Sequence, residues 1–184
     1  MNKIRNLSRV VRYYLGFHIA FNVIAHFVTH VHHWTYTLAY GNGLHFKTMY
    51  ELNKQAVDIF TLPLWQRVLV SFASFPSILL EAVGFYSLMK LMSFYEKGVY
   101  FSEKTARLFR MLGVFIAFGE IAKIIEQLPV SYCLTFMNPP GQRMIAVSAS
   151  NHNLTGVMLA LAIILVGWVM ERGARLQKDS DATI

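Results

Sequence analysis

The sequence predicts an all-α integral membrane protein with four membrane-spanning helices, both termini cytoplasmic, and outer loops carrying short β-hairpins. Three observations lead there. The 184 residues are 55% hydrophobic and only 15% charged, with a mean hydropathy of +0.41, a balance typical of membrane chains. Four apolar runs approach the ~20 residues needed to cross a bilayer core. The basic residues collect on one side of the membrane those runs define. One membrane domain, residues 1–184, accounts for the whole length.

The first run, residues 13–31, is the least apolar because of its histidines. At ~100° per residue, His18, Asn22, His26, Thr29, His30 and His33 share an arc of roughly 120°, with His32 off it. On a membrane helix such a stripe should face other helices, since unpartnered polar groups in hydrocarbon are costly. Lys3, Arg5, Arg9 and Arg12 precede the run as in a signal peptide. No small-x-small cleavage site follows, so the segment reads as a retained anchor.

The other spans are residues 68–89, 108–128 and 152–170. Pro76 is expected to kink the second. Gly113 with Ala117, and Gly156 with Ala160, give small-xxx-small spacings that allow close helix approach. With the N-terminus inside, Lys90, Lys97, Lys104, Arg107, Arg110, Arg172, Arg175 and Lys178 are cytoplasmic. Only Lys47, Lys54, Arg67 and Arg143 fall outside, and Lys123 lies within a helix. The inner loop is then 90–107 and the cytoplasmic tail 171–184; the outer loops are 32–67 and 129–151. This is a multi-pass topology. It also explains the net charge of +7 without direct contact to nucleic acid.

In the outer loops, WTYTLAY, GNG and LHFKTMYEL read as a hairpin around Asn42-Gly43. PVSYCLTF, MNPPGQ and RMIAVSAS read as a second, with Pro139, Pro140 and Gly141 in its turn. Lying on the same side, the two are candidates for one small sheet. Gln55 to Phe60 reads as a short surface helix. Asn153-Leu154-Thr155 is a formal glycosylation sequon, set aside because it lies within the fourth helix.

Between the second and third spans, YEKGVYFSEKTARLFRMLG carries Gly98 for a tight turn, Phe101, and Ser102 as a helix N-cap with Glu103 behind it. The chain ends ERGARLQKDSDATI. Together these segments resemble the bacterial four-helix membrane family known as domain of unknown function 2975. The matching positions are Gly98, Phe101, Ser102, Arg107, Gly173, Leu176, Gln177, Asp179, Asp181, Thr183 and Ile184. The tail departs in having DSDAT where an acidic-asn-asp-leu-thr run is usual. The histidine stripe is not part of the family pattern. The resemblance implies the four-helix topology and, because such proteins often accompany a small helix-turn-helix regulator, a cytoplasmic partner of that kind. It carries over no catalytic residue.

At ~1.5 Å per residue Glu120 lies about 15 Å above Arg110, and Glu81 about 13 Å above Lys90, so the two sit at similar depth. Two unpaired carboxylates there are unfavourable, each by roughly 2.5–3.5 kcal/mol. Lys123, one turn beyond Glu120, is placed to pair with either. The network Glu81, Glu120, Lys123 and Glu126 reads as a buried ion pair with a protonated second carboxyl, and otherwise as a proton relay or ion site. His26 and His30 stand at i, i+4 in the outer half of the first span, with His33 beyond and His152 on the same side. Those four, with Glu126 as a further ligand, admit zinc, copper or another divalent metal, or a bis-histidine haem. The alternative is interhelical hydrogen bonding helped by Asn22 and Thr29. No C-x-x-C-H, H-E-x-x-H, phosphate-loop or Ser-His-Asp pattern occurs. Cys133, the only cysteine, reads as a strand residue without a base beside it. Trp34, Tyr36, Trp65 and Trp168 read as interface or packing residues.

These features predict a non-enzymatic regulatory or sensory membrane module. Its partners would be the bilayer, a helix-turn-helix regulator and, as a further option, a second copy of itself. Residues 98–110 and 172–184 would form its contact surface. Metal or haem binding, in transport or electron transfer, and proton or ion transport are the alternatives.

Overall fold

A computed structural model describes residues 2–31, 37–38, 44–45, 49–52 and 55–181. The first helix, α1 (Asn2–Val31), is followed by four short strands: β1 (Thr37–Leu38), β2 (Leu44–His45), β3 (Met49–Leu52) and β4 (Gln55–Asp58). A 3-10 turn (Ile59–Thr61) leads to α2 (Leu64–Ala73), α3 (Phe75–Glu96), α4 (Glu103–Ile125), α5 (Gln127–Thr135) and α6 (Asn151–Asp181).

The long helices neighbour one another in the order α1, α3, α4, α6, and α1 and α6 make no comparable contact. At one end Arg9 and Arg12 of α1 hold Glu96 of α3 at 3.3 and 2.6 Å. Gly98, with φ +78°, makes the turn into α4. There Ser102 and Thr105 form a reciprocal capping box: Thr105 N–H donates to Ser102 Oγ at 3.2 Å and Ser102 N–H to Thr105 Oγ1 at 2.9 Å, satisfying two donors the first turn leaves open. The α4–α6 seam is closest at Gly113, where a Cβ would stand 2.7 Å from the Ala160 carbonyl oxygen. Ala160 is fully buried. Small residues set this approach.

Among the described residues two helices, Phe75–Glu96 and Asn151–Asp179, are long and apolar enough to cross a membrane. The expected second span is broken, not kinked. α2 ends at Ser74, whose hydroxyl donates to the Val70 carbonyl at 2.9 Å, and Pro76 sits in the first turn of α3, where its missing N–H costs no helical bond. The third expected span is divided likewise at Glu126. These breaks let α2 lean on α5. Gln66 of α2 donates to the carbonyls of Cys133 and Leu134 at 2.8 and 3.3 Å, over a core of Ile59, Val70, Val130 and Leu134.

The expected hairpin at PVSYCLTF is corrected: this stretch is α5. Its buried residues, Val130, Ser131, Leu134 and Thr135, repeat with helical period, and that outweighs the strand preference of single residues. The following RMIAVSAS runs extended along α5 without joining a sheet. Thr135 Oγ1 donates to the Met144 carbonyl at 3.0 Å, Ser131 Oγ accepts from Ala146 N–H at 3.1 Å, and Gln127 Oε1 accepts from Ser148 N–H at 2.7 Å. Four residues of helix rise ~6 Å and two of extended chain ~6.6 Å, so the two ladders keep step. One sheet shared by two hairpins is therefore ruled out. Before α2, β1 pairs antiparallel with β2 (Thr37↔His45) and β3 with β4 (Tyr50↔Val57), as two separate two-stranded sheets. The turn expected at Asn42-Gly43 lies outside the described residues. Gln55–Asp58 is strand rather than the expected surface helix; β-prone Tyr50 and Val57 at paired positions favour that outcome.

Candidate functional site

A polar cluster among the helices draws on three of them, with its charges on α3 and α4. Glu81 projects from α3, Glu120 and Lys123 from α4, and Asn153 from α6. Lys123 Nζ contacts the Glu81 carboxylate and donates to Glu120 Oε1 at 2.9 Å. Asn153 Nδ2 donates to Glu120 Oε2 at 3.0 Å, so both oxygens of this carboxylate, only 9% exposed, are bonded.

Glycines make the space. A Cβ on Gly156 would meet Glu120 Cγ at 2.7 Å and Cδ at 2.8 Å, and one on Gly119 would meet Glu81 Cγ at 3.4 Å. Each carboxylate stem thus lies against a bare stretch of the neighbouring helix, which lets charged side chains fit where helix axes are close.

Glu126 does not join Lys123 directly. It accepts from the Ser77 backbone N–H at 3.3 Å and the Ser77 hydroxyl at 3.0 Å, a seat on the first turn of α3 that favours negative charge. It remains within electrostatic reach of Lys123 and Glu81. On the other flank, a cavity of about 30 Å³ separates Glu81 from His18 and Asn22 of α1, room for one water-sized group. Asn22 Nδ2 lies 3.1 Å from His18 Nε2 and donates to the His18 carbonyl at 2.8 Å; the His18 ring meets Phe85 edge-on at 5.2 Å. Three carboxylates around one ammonium leave the cluster short of positive charge, so a proton or cation is the natural complement.

Of the four candidate metal ligands, the structure describes the side chains of His26 and His152. His26 is buried, with Nε2 2.9 Å from the Ser71 carbonyl and its ring against Phe27 and Phe75. The His30 side chain and all of His33 lie outside the described residues. His152 is exposed at the start of α6. Among the described residues no three His, Cys, Asp or Glu side chains are grouped to hold a metal ion. Two described members of the stripe, His18 and His26, turn toward α3 and α2.

Asn153 and Ser77 are the partners that sequence reading missed. The spacing of Asn153, Gly156, Ala160 and Gly167 was the available signal, since it draws one small, polar face on α6.

No curated protein and no solved structure matches the chain. The family described as "Protein of unknown function (DUF2975)" matches residues 44–184, which include both breaks, the capping box and every member of the charge cluster. With well over half of its length matched, the chain belongs to that family.

Proposed function

We propose that the chain is a non-enzymatic regulatory or sensory module, crossing the bacterial inner membrane four times with both termini in the cytoplasm. The observation that carries this reading is the inverted polarity of the helices. Glu120, Ser77, Ser87 and Asn153 are buried, while Leu79, Phe118, Ile121, Met158, Leu161, Leu165 and Val169 are exposed. A chain folded in water would place these sets the other way round; in lipid the arrangement satisfies both.

The ends that would face the cytoplasm form one surface. Arg110 of α4 binds Glu171 of α6 at 2.5 Å, and Arg175 binds the same carboxylate at 2.8 Å. Beyond them a groove of about 430 Å³ lies between Phe101–Lys104 and the α6 residues Ala174, Gln177 and Lys178. A helix-turn-helix regulator of the kind suggested by the family resemblance would dock here. Co-expressed with that regulator, the full chain should retain it on membranes after washing, and a chain truncated at Gly173 should release it. Equal retention by both would overturn the regulatory reading.

The Glu81–Lys123–Glu120 cluster favours a second reading, a proton or ion pathway. Its test is flux into liposomes: a rate unaltered by Glu120→Gln would exclude the cluster from such a pathway.

A further inference from the structure

Where α4 meets the lower part of α6 there is a second cavity, about 540 Å³, lined by Arg110, Leu165, Trp168, Val169, Glu171, Arg172 and Arg175. Its polar wall holds three guanidinium groups against one carboxylate. The site is assembled by packing. The Arg110 stem lies over Gly167, where a Cβ would come within 2.5 Å of Arg110 Cγ, and its head is tied to Glu171. Arg175 is tied to the same carboxylate. Arg172 makes no ion pair among the described residues and is exposed. The result is an excess of positive charge with an uncommitted fork suited to phosphate oxygens.

The apolar wall continues upward. Met158, Leu161, Leu165 and Val169 are 57–72% exposed, and with Trp168 and Arg172 they share an arc of roughly 100° on α6. From Leu161 to Arg172 the helix rises about 16 Å, close to the half-thickness of a ~30 Å hydrocarbon core. Trp168 stands at the level where the track meets the charges, the depth that indole rings favour.

We propose that this seam binds an anionic phospholipid, its phosphate held by Arg110, Arg172 and Arg175 and an acyl chain lying along Leu165 and Leu161. The track selects a lipid over a soluble phosphate, because a headgroup alone would leave it uncovered. Basic pockets between membrane helices on the cytoplasmic side take such headgroups. The proposal rests on the membrane reading above.

The test uses the full chain in nanodiscs of phosphatidylglycerol and phosphatidylcholine, with retained lipid counted by native mass spectrometry. Phosphatidylglycerol should be retained preferentially. Arg172→Gln should reduce that preference roughly fivefold and Arg172→Gln with Arg175→Gln further, while Arg5→Gln leaves it unchanged. Millimolar glycerol phosphate should not displace the lipid. Equal retention of both lipids, retention unchanged in the double variant, or displacement by glycerol phosphate would each overturn the proposal. Failure of the chain to enter discs would instead overturn the membrane reading. As a readout independent of variant folding, Trp168 fluorescence in Trp34→Phe/Trp65→Phe protein should be quenched more by brominated phosphatidylglycerol than by brominated phosphatidylcholine; equal quenching counts against the site.

Discussion

Asn153 donates to Glu120 across 3.0 Å, and this bond ties the first turn of α6 to the C-terminal part of α4. It binds the oxygen that Lys123 leaves free, so α3, α4 and α6 are linked in one chain from Glu81 through Lys123 and Glu120 to Asn153. The bare Cα of Gly156 makes that geometry available. Gly156→Leu should push the Glu120 side chain aside, break the link to Asn153 and destabilise the protein by about 1–3 kcal/mol. Thermal unfolding in detergent micelles checks it, with Gly173→Leu, where a Cβ meets nothing within 4 Å, as the comparison.

Lys123 supplies the ammonium for both Glu81 and Glu120. Lys123→Met should therefore cost about 1–3 kcal/mol, because it strands the buried Glu120 carboxylate. Adding Glu81→Gln and Glu120→Gln should restore much of the loss, since neutral partners no longer repel. A thermodynamic cycle over these variants measures the coupling. Additive effects would mean that the contacts seen here contribute independently.

How much of this was legible in the chain depends on which forces act locally. The N-cap at Ser102 was readable because caps obey short-range rules, whereas its reciprocal partner Thr105 emerged only from the fold. The spacings Gly113 with Ala117 and Gly156 with Ala160 marked small faces able to approach closely, and the fold brings Gly113 onto Ala160. The α5 segment was not readable, because Val130, Tyr132 and Thr135 favour strands one by one, while the deciding factor is burial against Val70 and Ile59 from far upstream. RMIAVSAS looked like a strand for a sound reason: its backbone is extended. Its partners are the side chains of a helix, which no strand rule anticipates. Asn153 drew attention as a sequon, and only the fold shows that its amide is committed to Glu120.

His26 bonds the Ser71 carbonyl among aromatic rings, close to the break between α2 and α3. Loss of His26 leaves that buried carbonyl with only the longer bond from the Ser74 hydroxyl at 3.3 Å. His26→Leu should destabilise by about 1–3 kcal/mol, whereas His18→Leu, facing Phe85 from a partly exposed position, should cost less. Elemental analysis of both variants and the parent separates packing from ligation: a metal content that falls with His26→Leu would show that the residue is a ligand.

Cys133 lies on α5 beside the Ile59–Val70–Val130–Leu134 core, and burial pushes its thiol above the ordinary cysteine range. The thiolate is the reactive species, so alkylation by iodoacetamide should be slower than in the unfolded chain, with its rate-against-pH curve displaced upward. The sign for stability follows. A raised pKa means that the folded state holds its proton longer, so the unfolded state ionises first as pH rises. The contribution of this thiol is full below the ordinary cysteine pKa and is lost as pH climbs through the folded value. Val130→Ala should open the core, accelerate alkylation and shift the curve back toward the free thiol. A curve identical in folded and denatured protein would show that α5 does not shield the thiol.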